Sequence, residues 1–143
     1  MKILCTTPEF KPSEVVIAEE VVDSYLRDPL GSGYHILVAE DDSTVAGYIC
    51  YGPTPLTEGT WDLYWQAVAQ EKRGQGIGSM LMESAEKEIM RAKGRLALIE
   101  TSSIPAYEAA RRFHIGHGYE IVARISDFYA LGDDKLILQK RLR

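Results

Sequence analysis

Two cysteines in 143 residues, and no apolar run near the ~18 residues that a membrane-spanning helix needs, are the first absences. Cys5 and Cys50 share no C-x-x-C spacing, and the opening stretch MKILCTTPEF has only a three-residue apolar patch, too short for a signal-peptide core. Two lone thiols without an export signal predict a reduced, cytoplasmic protein with both cysteines buried as small hydrophobes. Positive charge is short too: 16 Lys and Arg against 21 Asp and Glu, a formal charge of -5. A nucleic-acid binder normally shows a basic stripe, so neither nucleic acid nor membrane is an expected partner, while a basic or amine-bearing one fits. Internal repeats, low-complexity tracts and linkers are missing. Residues 1–143 therefore read as one domain.

What is present alternates between two periods. Ser13 to Asp28 has helical apolar spacing with Ser13 as its cap. YHILVAEDD and STVAGYICYGP read as a hairpin stopped by Pro53 and Pro55. Thr60 to Val68 alternates, with Trp61, Leu63, Trp65 and Ala67 on one face and Asp62, Tyr64, Gln66 and Val68 on the other. Ile77, Leu81, Ala85, Ile89 and Ala92 recur at helical intervals, with Gly94 as the stop. RLALIET is a nearly all-apolar strand, PAYEAARRFH a helix opened by Pro105, and YEIVARISDFY and KLILQKRL are strands around the turn ALGDD. The order α, β-β-β, α, β, α, β-β predicts an α/β protein. Its mixed sheet carries helices on both faces and holds one parallel pair with a right-handed crossover.

Between a strand and a helix stands RGQGIG, residues 73 to 78. Three glycines are a poor way to open a helix unless something must approach the backbone. The free N–H groups of a helix start and its dipole favour an anion, and a diphosphate suits such a nest. The loop lacks the G-K-[ST] of nucleotide-triphosphate loops. A dinucleotide fingerprint would need glycine at Ser79 or Leu81.

AVAQEKRGQGIGSMLME resembles the R/Q-x-x-G-x-G/A signature of the GNAT N-acetyltransferase superfamily through Arg73, Gly76 and Gly78. The flanking AV and the later GYE, where the family commonly has GF plus an acid, agree. The resemblance implies a mixed, largely antiparallel sheet of about six to seven strands whose central parallel pair splays at the coenzyme site. It also implies acetyl-CoA as co-substrate, with no metal. The diphosphate would lie on Arg73, Gly74, Gln75, Gly76, Ile77, Gly78 and Ser79, and the pantetheine arm beside the backbone of Ala67 and Val68.

For the chemistry, the resemblance places the general base at Asp62, acting directly or through water; a rim carboxylate that attracts a cationic substrate is the other reading. The backbone N–H of Val68 or its neighbour would polarise the carbonyl. The usual catalytic tyrosine position, four residues before Gly118, holds His114, whose unperturbed pKa of about 6.5 suits a proton donor near neutrality. Its alternative is a helix-end residue that meets carbonyl groups. Tyr107 sits where many members have a coenzyme-contacting asparagine, and the resemblance implies that it would reach the coenzyme or replace the missing tyrosine. His114 and His117 lack the further ligands of a metal site. Arg111 and Arg112 read as a solvated helix face rather than as phosphate ligands.

Substrate-binding candidates are Tyr64, Asp127 and Tyr129, with Glu58, Asp133 and Asp134 as further acids of the rim. DFYALGDDKLILQKRL is somewhat similar to the ending of ribosomal-protein N-terminal acetyltransferases. The acceptor expected is a primary amine, either a small molecule or a peptide amino terminus. The alternative is a catalytically weak acyl-CoA-binding or sensing module. A homodimer paired through an edge strand near Lys135 to Lys140 is a further expectation, by analogy.

Overall fold

Six strands and two α-helices make up the computed structural model over the residues it describes, 35–41, 44–69, 73–74 and 76–142. The helix expected over Ser13 to Asp28, and also Cys5 and Gln75, lie outside the described residues. The strands are β1 (His35–Asp41), β2 (Thr44–Pro53), β3 (Thr60–Val68), β4 (Leu96–Ser102), β5 (Glu120–Ala130) and β6 (Asp133–Arg141). Helix α1 spans Ile77–Arg91; a 3-10 turn at Pro105–Tyr107 leads into α2, Glu108–Gly116. They form one mixed sheet in the order β1-β2-β3-β4-β6-β5. Every pair is antiparallel except β3 with β4.

Helix α1 buries Leu81, Met82, Ala85 and Ile89, one stripe at helical spacing, against Ile49, Tyr51, Leu63, Ala97, Ile99 and Leu138 of the sheet. Phe113 of α2 packs on the same cluster, so both described helices lie on one face. Glu86 is buried in α1, but Tyr119 Oη donates to its Oε2 at 2.9 Å and Lys140 Nζ to its Oε1 at 2.9 Å, which satisfies the carboxylate. Cys50 is fully buried, as expected, and burial pushes its thiol up to about 12. No helix among the described residues is long and apolar enough to cross a membrane.

Three features differ from the sequence-based reading. The simple alternation of β3 fails: Leu63 joins the cluster under α1, whereas Trp65 and Ala67 pack with Tyr48 and Ala69 in a second cluster. The cause is a bulge. Tyr51 pairs with Leu63 but Cys50 pairs with Trp65, so Tyr64 is one residue too many and the pattern changes face there. Second, Lys135 to Lys140 is no edge. β6 pairs with β4 on one side and β5 on the other, and β5 is the outer strand among the described residues.

Third, Gly94 does not itself turn the chain. Lys93 takes the left-handed conformation (φ 66°), while the Gly94 N–H bonds the Ile89 carbonyl at 2.8 Å. A Cβ on Gly94 would run into the Ile89 side chain and stand 2.9 Å from both the Ile89 oxygen and Trp61. Gly94→Ala is therefore expected to destabilise the fold by about 2 kcal/mol in urea unfolding. A loss below about 0.5 kcal/mol, typical of a free surface position, would show that the turn simply relaxes.

Candidate functional site

The bulge is also where the sheet opens. Parallel pairing of β3 with β4 runs from Thr60 with Leu96 to Leu63 with Ile99 and stops there, one residue before the inserted Tyr64. A bulge bends its strand, so β3 leaves β4 at that point. The fork holds a cleft of about 890 Å³, within the range of small-molecule and cofactor sites. Its walls are β3 from Asp62 to Val68 and β4 from Leu98 to Ser102, with the start of α1 and the inner side of α2 between them.

At the cleft, Gly76 caps α1 with φ 78° and ψ 10°, a conformation costly for residues with a Cβ. Gly74 is left-handed as well, and a Cβ on either would meet nothing within 4 Å. These glycines are there for the backbone path and the open space, not for packing. No side chain caps the helix, and its first turn carries no acid. The leading N–H groups of α1 are therefore free to serve an anion. Arg73, Gly74, Gly76, Ile77, Gly78, Ser79, Ala67 and Val68 all line the cleft, while Arg73 Nε donates to the Val68 carbonyl at 3.5 Å.

Asp62, Tyr64, Tyr107, His114 and Tyr129 line the same cleft. Thr54 Oγ1 donates to Asp62 Oδ2 at 2.7 Å and leaves Oδ1 for another partner. His114 departs from its expected chemistry. Its Nδ1 is shut off from solvent with no hydrogen-bond partner among the described residues. Burial first, and the neighbouring His117 second, lower its pKa to about 4. It is thus a neutral imidazole at pH 7 and does not cycle near neutrality, because a charge there would lose its water without gaining a counter-ion.

That shift has a consequence for stability. The unfolded chain takes up a proton on His114 as pH falls through about 6.5, and the folded one only near 4. Stability present above pH 6.5 is lost toward pH 4, by on the order of 3 kcal/mol. In urea unfolding at pH 7 and pH 4.5, His114→Phe should lose less stability on acidification than the wild type, by about 2 kcal/mol. Parallel pH dependence of the two proteins would show that His114 is not the group responsible.

The expected acidic rim is not brought to the cleft. Asp127 takes a left-handed turn (φ 56°), accepts from the Gly132 N–H at 2.7 Å, and gives its own N–H to Asp134 Oδ1 at 2.8 Å. That amide, and then the Arg124 guanidinium, hold the Asp134 carboxyl below the usual carboxylate range. Asp133, only 4% exposed, accepts from Ser102 Oγ. None of these three lines the cleft, and neither does Glu58. They staple the β5–β6 turn to the end of β4. Arg111 is no solvated cation either: its Nη1 donates to the Ser102 and Ile104 carbonyls at 2.7 and 2.9 Å. Arg112 pairs with Glu108 on the surface.

Sequence reasoning missed Gln66. Assigned to the face of Asp62 and Tyr64, it is turned under α1 by the bulge, and its Nε2 donates to the Gly78 carbonyl at 2.7 Å. No local signal marks it, because the face it takes depends on pairing with β2. Among the described residues no group of three or more His, Cys, Asp or Glu stands ready for a metal, and His117 instead lies 3.0 Å from Ser79 Oγ.

The family model described as "Acetyltransferase (GNAT) domain" matches residues 32–121. A GNAT-family protein from Desulfovibrio desulfuricans is 40% identical, with 99% of this chain and 89% of that one covered and a TM-score of 0.94. The ribosomal-protein-alanine N-acetyltransferase from Brucella melitensis is 26% identical over 89% of this chain and 78% of that one, with a TM-score of 0.68. An aminoglycoside 6'-N-acetyltransferase solved with coenzyme A shares the fold at 19% identity, with 94% and 83% covered and a TM-score of 0.71. None of the curated proteins matches.

Proposed function

Because this chain belongs to the GNAT acetyltransferase family, we propose that it moves the acetyl group of acetyl-CoA to a primary amine by direct attack in a ternary complex. The observation that carries this reading is the fork, where a bulge-opened cleft ends at an uncapped helix start whose glycines leave room for a diphosphate. The coenzyme A complex of the aminoglycoside enzyme, which has the same fold, supports the choice of ligand.

In this scheme the leading amides of α1 and the loop from Arg73 to Ser79 hold the diphosphate, Gln75 included. The backbone of Ala67 and Val68 aligns the thioester arm. Asp62 takes the proton from the acceptor ammonium, directly or through water; the freed amine forms the new N–C bond as the C–S bond breaks. Tyr107 supplies the proton for the leaving sulfur. His114, kept neutral by burial, offers a hydrogen bond in place of imidazolium acidity. Tyr64 and Tyr129 shape the acceptor side, whereas Asp127, tied to its own turn, is not assigned there. A homodimer that forms by strand pairing uses the outer edge of β5.

The test is a panel of small amines and peptide amino termini with acetyl-CoA, following thiol release and the acetylated product by mass. Acceptor-dependent turnover supports the enzyme. The neutral His114, in the usual tyrosine position, favours the other reading, an acyl-CoA-binding module. Tight coenzyme uptake with no acceptor-dependent thiol release across the panel would select that module.

A further inference from the structure

Among the described residues His117 joins no cluster of metal-ligating side chains, and its contacts tie it to both helices beside the cleft. Its main-chain N–H closes α2 by bonding the Phe113 and His114 carbonyls at 3.2 and 3.0 Å. Its ring packs on Phe113 with centroids 4.6 Å apart, and its Nε2 reaches Ser79 Oγ at 3.0 Å. Phe113 lies against Gly78, where a Cβ would stand 3.5 Å from the phenyl ring. From the opposite side, Gln66 of β3 holds the Gly78 carbonyl. The first turn of α1 is thus gripped by α2 and by β3. Ser79 lines the cleft, and His117 stands behind it.

We propose that His117 is a positioning residue for the coenzyme cradle. It fixes the Ser79 hydroxyl so that this group and the free N–H groups of the first turn already face the place a diphosphate takes. The inference rests on the acetyl-CoA reading of the cleft. A serine hydroxyl has one proton and two lone pairs. When the His117 Nε2–H donates to Ser79 Oγ, the hydroxyl proton is left for a phosphate oxygen. A donor set ordered beforehand spares the ligand the cost of ordering it.

Two probes separate this role from general support of the cleft. Acetyl-CoA carries the diphosphate; S-acetylpantetheine has the same thioester arm without it. By calorimetry, His117→Ala should weaken acetyl-CoA binding about five- to tenfold, the size expected for one hydrogen bond. By ligand-observed NMR, its affinity for S-acetylpantetheine should stay within about twofold of the wild-type value, well under one hydrogen bond's worth. Ser79→Ala should give the same selective loss, and the double variant should bind no worse than the weaker single one, because both remove one contact. His117→Gln should recover most of the affinity, since a glutamine amide reaches about as far as an imidazole Nε2. With any accepted amine, the coenzyme KM should move more than kcat.

Unchanged acetyl-CoA affinity, an equal loss for both probes, or additive losses in the double variant would each overturn the proposal. Should His117→Ala fail to fold, Ser79→Ala decides alone, as alanine is the residue a helix accepts best. A wild-type protein that takes up no acetyl-CoA defeats the functional reading itself, a result distinct from wild-type uptake with indifferent variants.

Discussion

Gly76→Glu is expected to weaken acetyl-CoA binding by more than about 100-fold while the protein stays folded, because it sets a fixed carboxylate against the N–H donors a diphosphate uses. The site has room for the side chain, since a Cβ there meets nothing within 4 Å. The left-handed φ of 78° costs about 1–2 kcal/mol for a residue with a Cβ. A carboxylate at an uncapped helix start offsets part of that cost through the same donors. Gly76→Ala separates strain from occupation: it bears the backbone cost without the charge and should retain far more affinity. Calorimetric titration together with thermal unfolding reads both quantities. Wild-type affinity in Gly76→Glu would mean that the diphosphate lies elsewhere, and the cradle assignment would go with it.

Asp62→Asn is expected to lower kcat about 100-fold, the usual scale for losing a positioned general base. The substitution is nearly isosteric. The amide oxygen can still accept from Thr54 Oγ1, so the local hydrogen bond survives and the effect reports chemistry, not misfolding. Coenzyme affinity should hardly move, because the first-turn donors are untouched. A rise in acceptor KM with kcat intact would instead make Asp62 a carboxylate that only attracts a cationic substrate. Tyr107→Phe belongs in the same experiment: a comparable fall in kcat supports its place as proton source, and full turnover removes it.

These two residues differ in how plainly the chain announces them. Gly76 sits in a stretch whose composition has no purpose inside an ordinary helix, so the proposed anion site can be read from neighbours in sequence. Asp62 is visible only by likeness to a family, and its cleft exists because Tyr64 has no counterpart in β2. Alternation placed Trp65 and Gln66 on the wrong faces for the same reason. The acids of the β5–β6 turn misled differently. Asp127, Asp133 and Asp134 look like a substrate rim by charge, yet backbone amides, Ser102 and Arg124 claim all three. His114 kept its expected position but, through burial, does not hold a proton near neutral pH.

The glycine cradle, the order of strands and helices, and the helical stripe of α1 follow from residues close together along the chain, because φ freedom and apolar spacing are local quantities. The fork, the turned Gln66, the neutral His114, the His117–Ser79 contact and the outer position of β5 among the described residues arise from strand register and burial. Both depend on segments far apart in sequence, so no window of neighbouring residues contains them.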